Sequence, residues 1–136
     1  MANRNLRIQH AIISQALTDG TSYYNGAETT ETSAQPLHVL GQPSIEVNIG
    51  AVGVSAASLS LSALVTDAAG VTGSALTIGG VTSASLDLET GTQVVDVDRA
   101  LINLEKLIVK LTPDGDDVTA GVNVLSTAPN SDVASA

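Results

Sequence analysis

The sequence contains no cysteine, no phenylalanine and no tryptophan. The missing cysteines exclude disulfide bonds, thiolate catalysis and zinc–thiolate centres. Because Tyr23 and Tyr24 are the only tyrosines, any core has to be assembled from valine, leucine, isoleucine and alanine. Such side chains bury less apolar surface than aromatic ones. We therefore expect association with copies of the chain, as a dimer or trimer, or with partners to contribute to stability.

Basic residues are also scarce, since 5 lysines and arginines stand against 14 acidic residues and the net charge is −9. Nucleic-acid surfaces and anionic membranes both select clustered lysine and arginine, so neither partner is expected. The sequence lacks the run of roughly 18 apolar residues that a membrane helix needs. It also lacks the apolar segment of a signal peptide. We expect synthesis in a cytoplasm.

The length of 136 residues suits one domain, and the residues at both ends of the sequence differ in composition from the middle. Residues 1–36 include the polar tract "NGAETTETSAQP" and few core-forming side chains. The apolar positions of "LRIQHAIISQAL" fit a short helix or an extended arm with some strand, and we favour the arm. The predicted organisation is an N-terminal arm over residues 1–36, a β-domain over residues 37–128 and a flexible C-terminal tail over residues 129–136.

Residues beyond 37 alternate between apolar and polar side chains. In "SIEVNIG", Ile45 and Val47 alternate with Glu46 and Asn48. The pattern recurs in "SLSLSALV", "ASLDLET", "QVVDVD", "EKLIVKL" and "DVTAGVNVL", while residues 98–105 fit one or two helical turns or a loop. Period-two alternation in short runs is typical of half-buried antiparallel strands. The predicted fold is all-β, an antiparallel β-sandwich or jelly roll.

Catalytic motifs are not evident in the sequence. It has no G-x-S-x-G nucleophile elbow and no phosphate-binding loop, and the spacing of His10 and His38 defines no site. Asp96 and Asp98 share a strand face, where they suit either solvent exposure or an acid–base pair. We favour solvent exposure, with Arg99 pairing one of them. Neither enzymatic activity nor a cofactor is expected.

The stretch "TPDGDDVTAGVNVL" has two interpretations. Asp114, Asp116 and Asp117 surround Gly115 and are weak candidates for calcium ligands. A calcium-binding EF-hand loop closes with a bidentate glutamate, and none follows here. Pro113 and Gly115 instead specify a turn. We predict a hairpin that leads into the closing strand of the core.

Three stretches together resemble a known family. They are "IISQALTDGTSYYN", the alternating "AASLSLSALVTD" and the C-terminal pair "EKLIVKLTPDGDDVTAGVNVL". This layout resembles the small capsid cement, or decoration, proteins of tailed bacteriophages, of the jelly-roll type found in Bordetella phage. In that family a turn leads into a last strand of the "AGxVxVxL" kind, here "AGVNVL". The chain departs from the pattern in "GAETTETSAQP".

The resemblance implies a mechanical function on the outside of a virion. Many copies would bind the capsid exterior and bridge neighbouring major capsid subunits against the pressure of packaged DNA. Tyr23 and Tyr24 would either anchor the partner or plug the end of the sandwich. The expected partner-binding residues are Arg4, Leu6, Arg7, Ile8, Ile12, Ile13, Tyr23 and Tyr24. The alternative is a β-sandwich binding module, an adhesin or carbohydrate-binding domain assisted by calcium.

Overall fold

Ten β-strands and two short 3-10 helices form the described part of the chain. The computed structural model describes residues 5–66, 72–102 and 104–128, so the predicted tail and Arg4 lie outside it. The strands are β1 (Asn5–Leu17), β2 (Tyr23–Tyr24), β3 (Leu37–His38), β4 (Ser44–Val52), β5 (Ser58–Thr66), β6 (Thr72–Leu76), β7 (Ala84–Ser85), β8 (Gly91–Asp96), β9 (Lys106–Asp114) and β10 (Val118–Ala128). The helices span Asn25–Ala27 and Glu31–Ser33.

The strands form two antiparallel sheets. Sheet A has the order β1-β10-β4-β8, and sheet B has the order β2-β9-β5-β6, with β3 on β9 and β7 on β5. The chain passes repeatedly from one sheet to the other, and its first strand pairs with its last. This strand order is that of a jelly roll. The predicted all-β antiparallel sandwich is therefore confirmed.

The core lies between the two sheets and is aliphatic, as the composition requires. Alternation along each strand places one set of side chains inward, because successive Cβ atoms point to opposite faces of a sheet. These inward side chains are at most 3% exposed: Ile45, Val47, Ile49, Leu59, Leu61, Ala63, Leu107, Val109, Leu111, Val118, Ala120, Val122 and Val124. The inward side chains of both sheets belong to one hydrophobic cluster.

The predicted N-terminal arm is instead an integral strand. β1 pairs with β10 from Asn5↔Ala128 to Leu17↔Val118, with irregular register on either side of Ile12. It contributes Ile12 and Leu17 to the core, at 1% and 0% exposure. The prediction of an arm was wrong because residues 6–17 show no clean alternation: the two irregularities shift which side chains face inward.

The predicted hairpin before "VTAGVNVL" is a turn between sheets. β9 pairs with β5 in sheet B, whereas β10 pairs with β1 and β4 in sheet A. The turn itself is as predicted, since Gly115 adopts a φ of +98°. Two other stretches differ from expectation. The predicted strand "ASLDLET" is reduced to β7, and the described residues between 98 and 105 form a loop without helix.

Asn25 completes the edge of sheet B between β2 and β3. Its side-chain Oδ1 accepts a hydrogen bond from the Val109 backbone N–H at 2.9 Å, and its Nδ2 donates to the Leu107 carbonyl at 3.0 Å. Nδ2 also donates to the Gln35 carbonyl at 2.9 Å. The side-chain amide therefore replaces a peptide group beside β9, at a residue that is only 2% exposed.

Candidate functional site

The predicted contacts on β1 divide into exposed and buried residues. Arg7, Ile8 and Ile13 are exposed, and the two isoleucines retain 54% and 73% of their accessible surface. Ile12 faces the core, so its prediction as a partner contact was wrong. The side chain of Leu6 lies outside the described residues, as does Arg4. β1 ends the strand order of sheet A, so its outer edge has no partner among the described strands.

The two tyrosines have different environments. Tyr23 belongs to the core cluster, and its hydroxyl accepts a hydrogen bond from the Thr18 backbone N–H at 2.8 Å. Tyr24 is half-buried, and the Lys110 Nζ lies 5.9 Å from the centre of its ring. Tyr23 therefore packs into the core of the sandwich. Tyr24 keeps part of its ring accessible beside a cation, in a cation–π arrangement.

A continuous row of hydrogen-bonded polar side chains crosses the outer face of sheet A. His10 Nδ1 lies 2.7 Å from Asn123 Oδ1, and Asn123 Nδ2 donates to Glu46 Oε1 at 3.0 Å. Asn48 Nδ2 donates to the same Glu46 oxygen at 3.2 Å, and Thr92 Oγ1 donates to Asn48 Oδ1 at 2.6 Å. The row includes a residue from each of β1, β10, β4 and β8, and it fixes the orientation of both amides.

This row sets the tautomer of His10 and lowers the pKa of Glu46. Asn123 turns its NH2 group toward Glu46, so its Oδ1 faces His10 and requires a proton on Nδ1. The neutral ring then carries its lone pair on Nε2. The hydrogen bond from Asn123, followed by that from Asn48, lowers the pKa of Glu46. Glu46 is therefore a carboxylate at neutral pH.

A groove of about 390 Å³ lies beside the row, between β1 and β10. Gly121 presents bare backbone to it, and β1 passes so close that a Cβ at this position would lie 2.9 Å from the Ser14 nitrogen and 3.1 Å from the Ile12 carbonyl oxygen. The groove lies where the pairing of β1 with β10 is irregular. Its lining residues are His10, Ile12, Ile13, Ser14, Asn48, Gly121 and Asn123.

The acidic residues of the β9–β10 turn bind backbone N–H groups of neighbouring loops. Asp116 Oδ2 accepts from Ser55 N at 3.1 Å, and Asp117 Oδ1 accepts from Asp19 N at 2.9 Å. The bond from Ser55, followed by that from the Asp117 backbone, lowers the pKa of Asp116. The main-chain carbonyl of Asp114 accepts from Ala57 N at 2.8 Å, and no hydrogen bond joins its carboxylate to another described residue. Within the described ranges, no three His, Cys, Asp or Glu residues are grouped as metal ligands.

Asp96 and Asp98 do not act as a pair. Asp96 Oδ1 accepts from Ser44 Oγ at 2.7 Å, whereas Asp98 Oδ2 accepts from the Gly80 backbone N–H at 2.8 Å. Arg99 pairs with neither, because its guanidinium donates two hydrogen bonds to Glu105, at 3.0 and 3.1 Å. The predicted ion pair of Arg99 with Asp96 or Asp98 was wrong.

No protein-family model matches the chain, and no curated protein matches its sequence. Among the described residues, no helix has both the length and the apolar character that crossing a membrane requires.

Glu46 offers a test of the polar row through pH. Because its pKa is lowered in the folded state, its hydrogen bonds stabilise the fold above the ordinary carboxyl pKa, and this contribution disappears as pH falls through the lowered value. We expect Glu46→Gln to be less stable than wild type at neutral pH. The two proteins should converge in acid. Urea unfolding across the pH range measures the difference, and a difference independent of pH would contradict the assignment.

Proposed function

We propose that the chain is a bacteriophage structural protein, a capsid cement protein that binds the outer surface of the shell and bridges major capsid subunits. The observation that carries the proposal is the edge strand β1, 13 residues long, on a compact jelly roll. An exposed edge offers a row of backbone groups to a strand or arm of a neighbour, which is a common mode of protein–protein recognition. This function requires no catalytic residue and no cofactor.

The side chains of β1 give this edge an apolar component. Ile8 and Ile13 lie on either side of the bulged centre of the strand and are its large exposed apolar side chains. Apolar residues that are exposed in the isolated chain contribute to affinity when a partner covers them. Arg7 adds a positive charge that suits acidic groups of a capsid subunit. Binding as a dimer or trimer would present this edge more than once to the shell and strengthen attachment.

The calcium-assisted alternative has little support in the geometry. Asp116 and Asp117 direct carboxylate oxygens to Ser55, Asp19 and Asp117 backbone N–H groups. A calcium ion requires several oxygens to converge on one point. These acids instead hold the loops at one end of the sandwich together.

Sedimentation with capsid shells tests the cement function. Purified protein is mixed with shells assembled from the major capsid protein encoded in the same genome, and the pelleted fraction is measured against protein concentration. We expect saturable binding that the double variant Ile8→Lys/Ile13→Lys weakens by about tenfold or more, because each lysine places a hydrated charge in an apolar contact.

The matched control is Val54→Lys, which introduces the same charge at a fully exposed residue of the β4–β5 loop. Val54→Lys is expected to bind like wild type. If wild type fails to sediment with shells, the cement function is wrong. If wild type binds and the double variant binds equally well, the cement function stands and the role of β1 is wrong.

A further inference from the structure

The groove beside Gly121 combines polar and apolar lining within a small volume. Its volume of about 390 Å³ falls within the range of roughly 300–1,000 Å³ that small-molecule sites occupy. The exposed side chain of Ile13 supplies apolar lining, and His10, Ser14, Asn48 and Asn123 supply the polar lining. It lies on the outer face of sheet A, so a ligand can reach it without any change in the core.

The polar lining offers hydrogen-bond donors and acceptors in fixed positions. Asn48 and Asn123 each use one N–H on Glu46 Oε1, which leaves each amide a second N–H to donate. His10 offers the Nε2 lone pair as an acceptor, since its Nδ1 proton is held by Asn123. Ser14 adds a hydroxyl. Groups that both donate and accept, at spacings of a few ångströms, complement such an array best.

The charge near the groove narrows the class of ligand. The ionised Glu46 carboxylate accepts a hydrogen bond from each of the two amides that line the groove. Its negative charge next to the groove repels phosphate, sulfate and carboxylate ligands. A purely apolar ligand would leave the amides and the histidine without water or partner, at a cost for each buried polar group. A divalent cation would find a single carboxylate, already engaged by two amides. A neutral ligand rich in hydroxyl groups avoids all three penalties.

We propose that this groove binds one pyranose ring of a neutral saccharide. Ring hydroxyls donate to His10 Nε2 and accept from the free N–H groups of Asn48 and Asn123, while an apolar face of the ring packs on Ile13. The pre-oriented row of side chains lowers the entropy cost of binding, because both amides are already fixed by Glu46. The site uses the outer face of sheet A rather than the backbone edge of β1, and it shares Ile13 with the proposed capsid contact.

Amide NMR of the full chain tests the proposal with four probes: glucose, galactose, mannose and N-acetylglucosamine. We expect at least one of them to produce saturable shifts at Asn48, Gly121 and Asn123, with a dissociation constant of roughly millimolar order, as a site with few contacts allows. Asn48→Ala should weaken that affinity by about tenfold, through loss of one hydrogen-bond donor and of the support it gives Glu46.

Two variants control for folding and for a general effect of amide removal. Ser14→Ala removes a groove hydroxyl and leaves the polar row intact. It replaces Asn48→Ala as the test of binding if Asn48→Ala loses its dispersed spectrum. Gln35→Ala removes an exposed amide elsewhere and should bind like wild type. The proposal is overturned if no probe gives saturable shifts at the groove. It is also overturned if the shifts survive both groove substitutions unchanged.

Discussion

Replacing Gly115 with alanine is expected to destabilise the domain by about 3 kcal/mol or more, as the sum of a backbone and a packing penalty. The backbone penalty arises because φ is +98° at this turn, a conformation that residues with a Cβ rarely adopt. The packing penalty arises because the new Cβ would lie 2.5 Å from the Ser55 carbonyl oxygen and 2.6 Å from the Ala57 nitrogen. Both contacts are with backbone, so no side-chain rotation relieves them.

Gly80→Ala separates the two penalties. Gly80 has a φ of +90°, close to that of Gly115, but nothing lies within 4 Å of the position of its Cβ. It should therefore lose only the conformational part, about 1 kcal/mol. Urea unfolding followed by circular dichroism gives both values. Equal losses of stability in the two variants would show that the contact between the new Cβ and the β4–β5 loop adds no penalty at residue 115.

Replacing Asn25 with alanine is expected to cost about 3 kcal/mol, because two buried backbone groups of β9 lose their partner. The Val109 N–H and the Leu107 carbonyl are each bonded to the Asn25 side chain. Leu107 lies opposite Leu37 of β3, but no described strand pairs with Val109 on this side of β9, so the Val109 N–H has no strand to replace the lost amide. Asn25→Asp should be at least as harmful at neutral pH, since a carboxylate would face two carbonyl oxygens in place of the NH2 group.

The control for Asn25 is Gln35→Ala, which removes an exposed side chain and keeps the carbonyl that Asn25 binds. Its stability should remain within about 0.5 kcal/mol of wild type, as for most surface substitutions. Hydrogen exchange adds a local measurement: the Val109 amide should lose protection in Asn25→Ala. Retained protection there would contradict the role of Asn25 as a substitute for a peptide group.

The sequence predicted the fold where one face of a strand is buried and the other exposed. β4 is such a strand, because the alternation from Ser44 to Ile49 assigns each side chain to a face without reference to any other strand. β1 was missed for the opposite reason. Its register breaks on both sides of Ile12, so its inward residues do not follow a period of two, and an arm and a strand could not be distinguished.

The polar row shows a different limit of sequence reasoning. The alternation places Glu46 and Asn48 on the polar face of their strand, but it does not show that Glu46 also binds Asn123, which is far away in the sequence. Cross-strand neighbours are set by sheet order and register, which depend on packing of the whole sandwich. The same applies to Asn25, whose partners on β9 are more than eighty residues distant. Nothing in the sequence around Asn25 predicts that its side chain is buried.

The pairing of the first strand with the last has a consequence for how the protein folds during its synthesis. Asn5 lies opposite Ala128, and Leu17 opposite Val118, so β1 leaves the ribosome about a hundred residues before its partner. Sheet A cannot form its β1–β10 ladder until translation has reached β10. Proteins dominated by such distant contacts fold slowly, in roughly milliseconds to seconds. Until then Ile12 and Leu17, which the finished sandwich buries, lie on an unpaired strand, and exposed apolar side chains and unpaired strand edges of this kind promote aggregation.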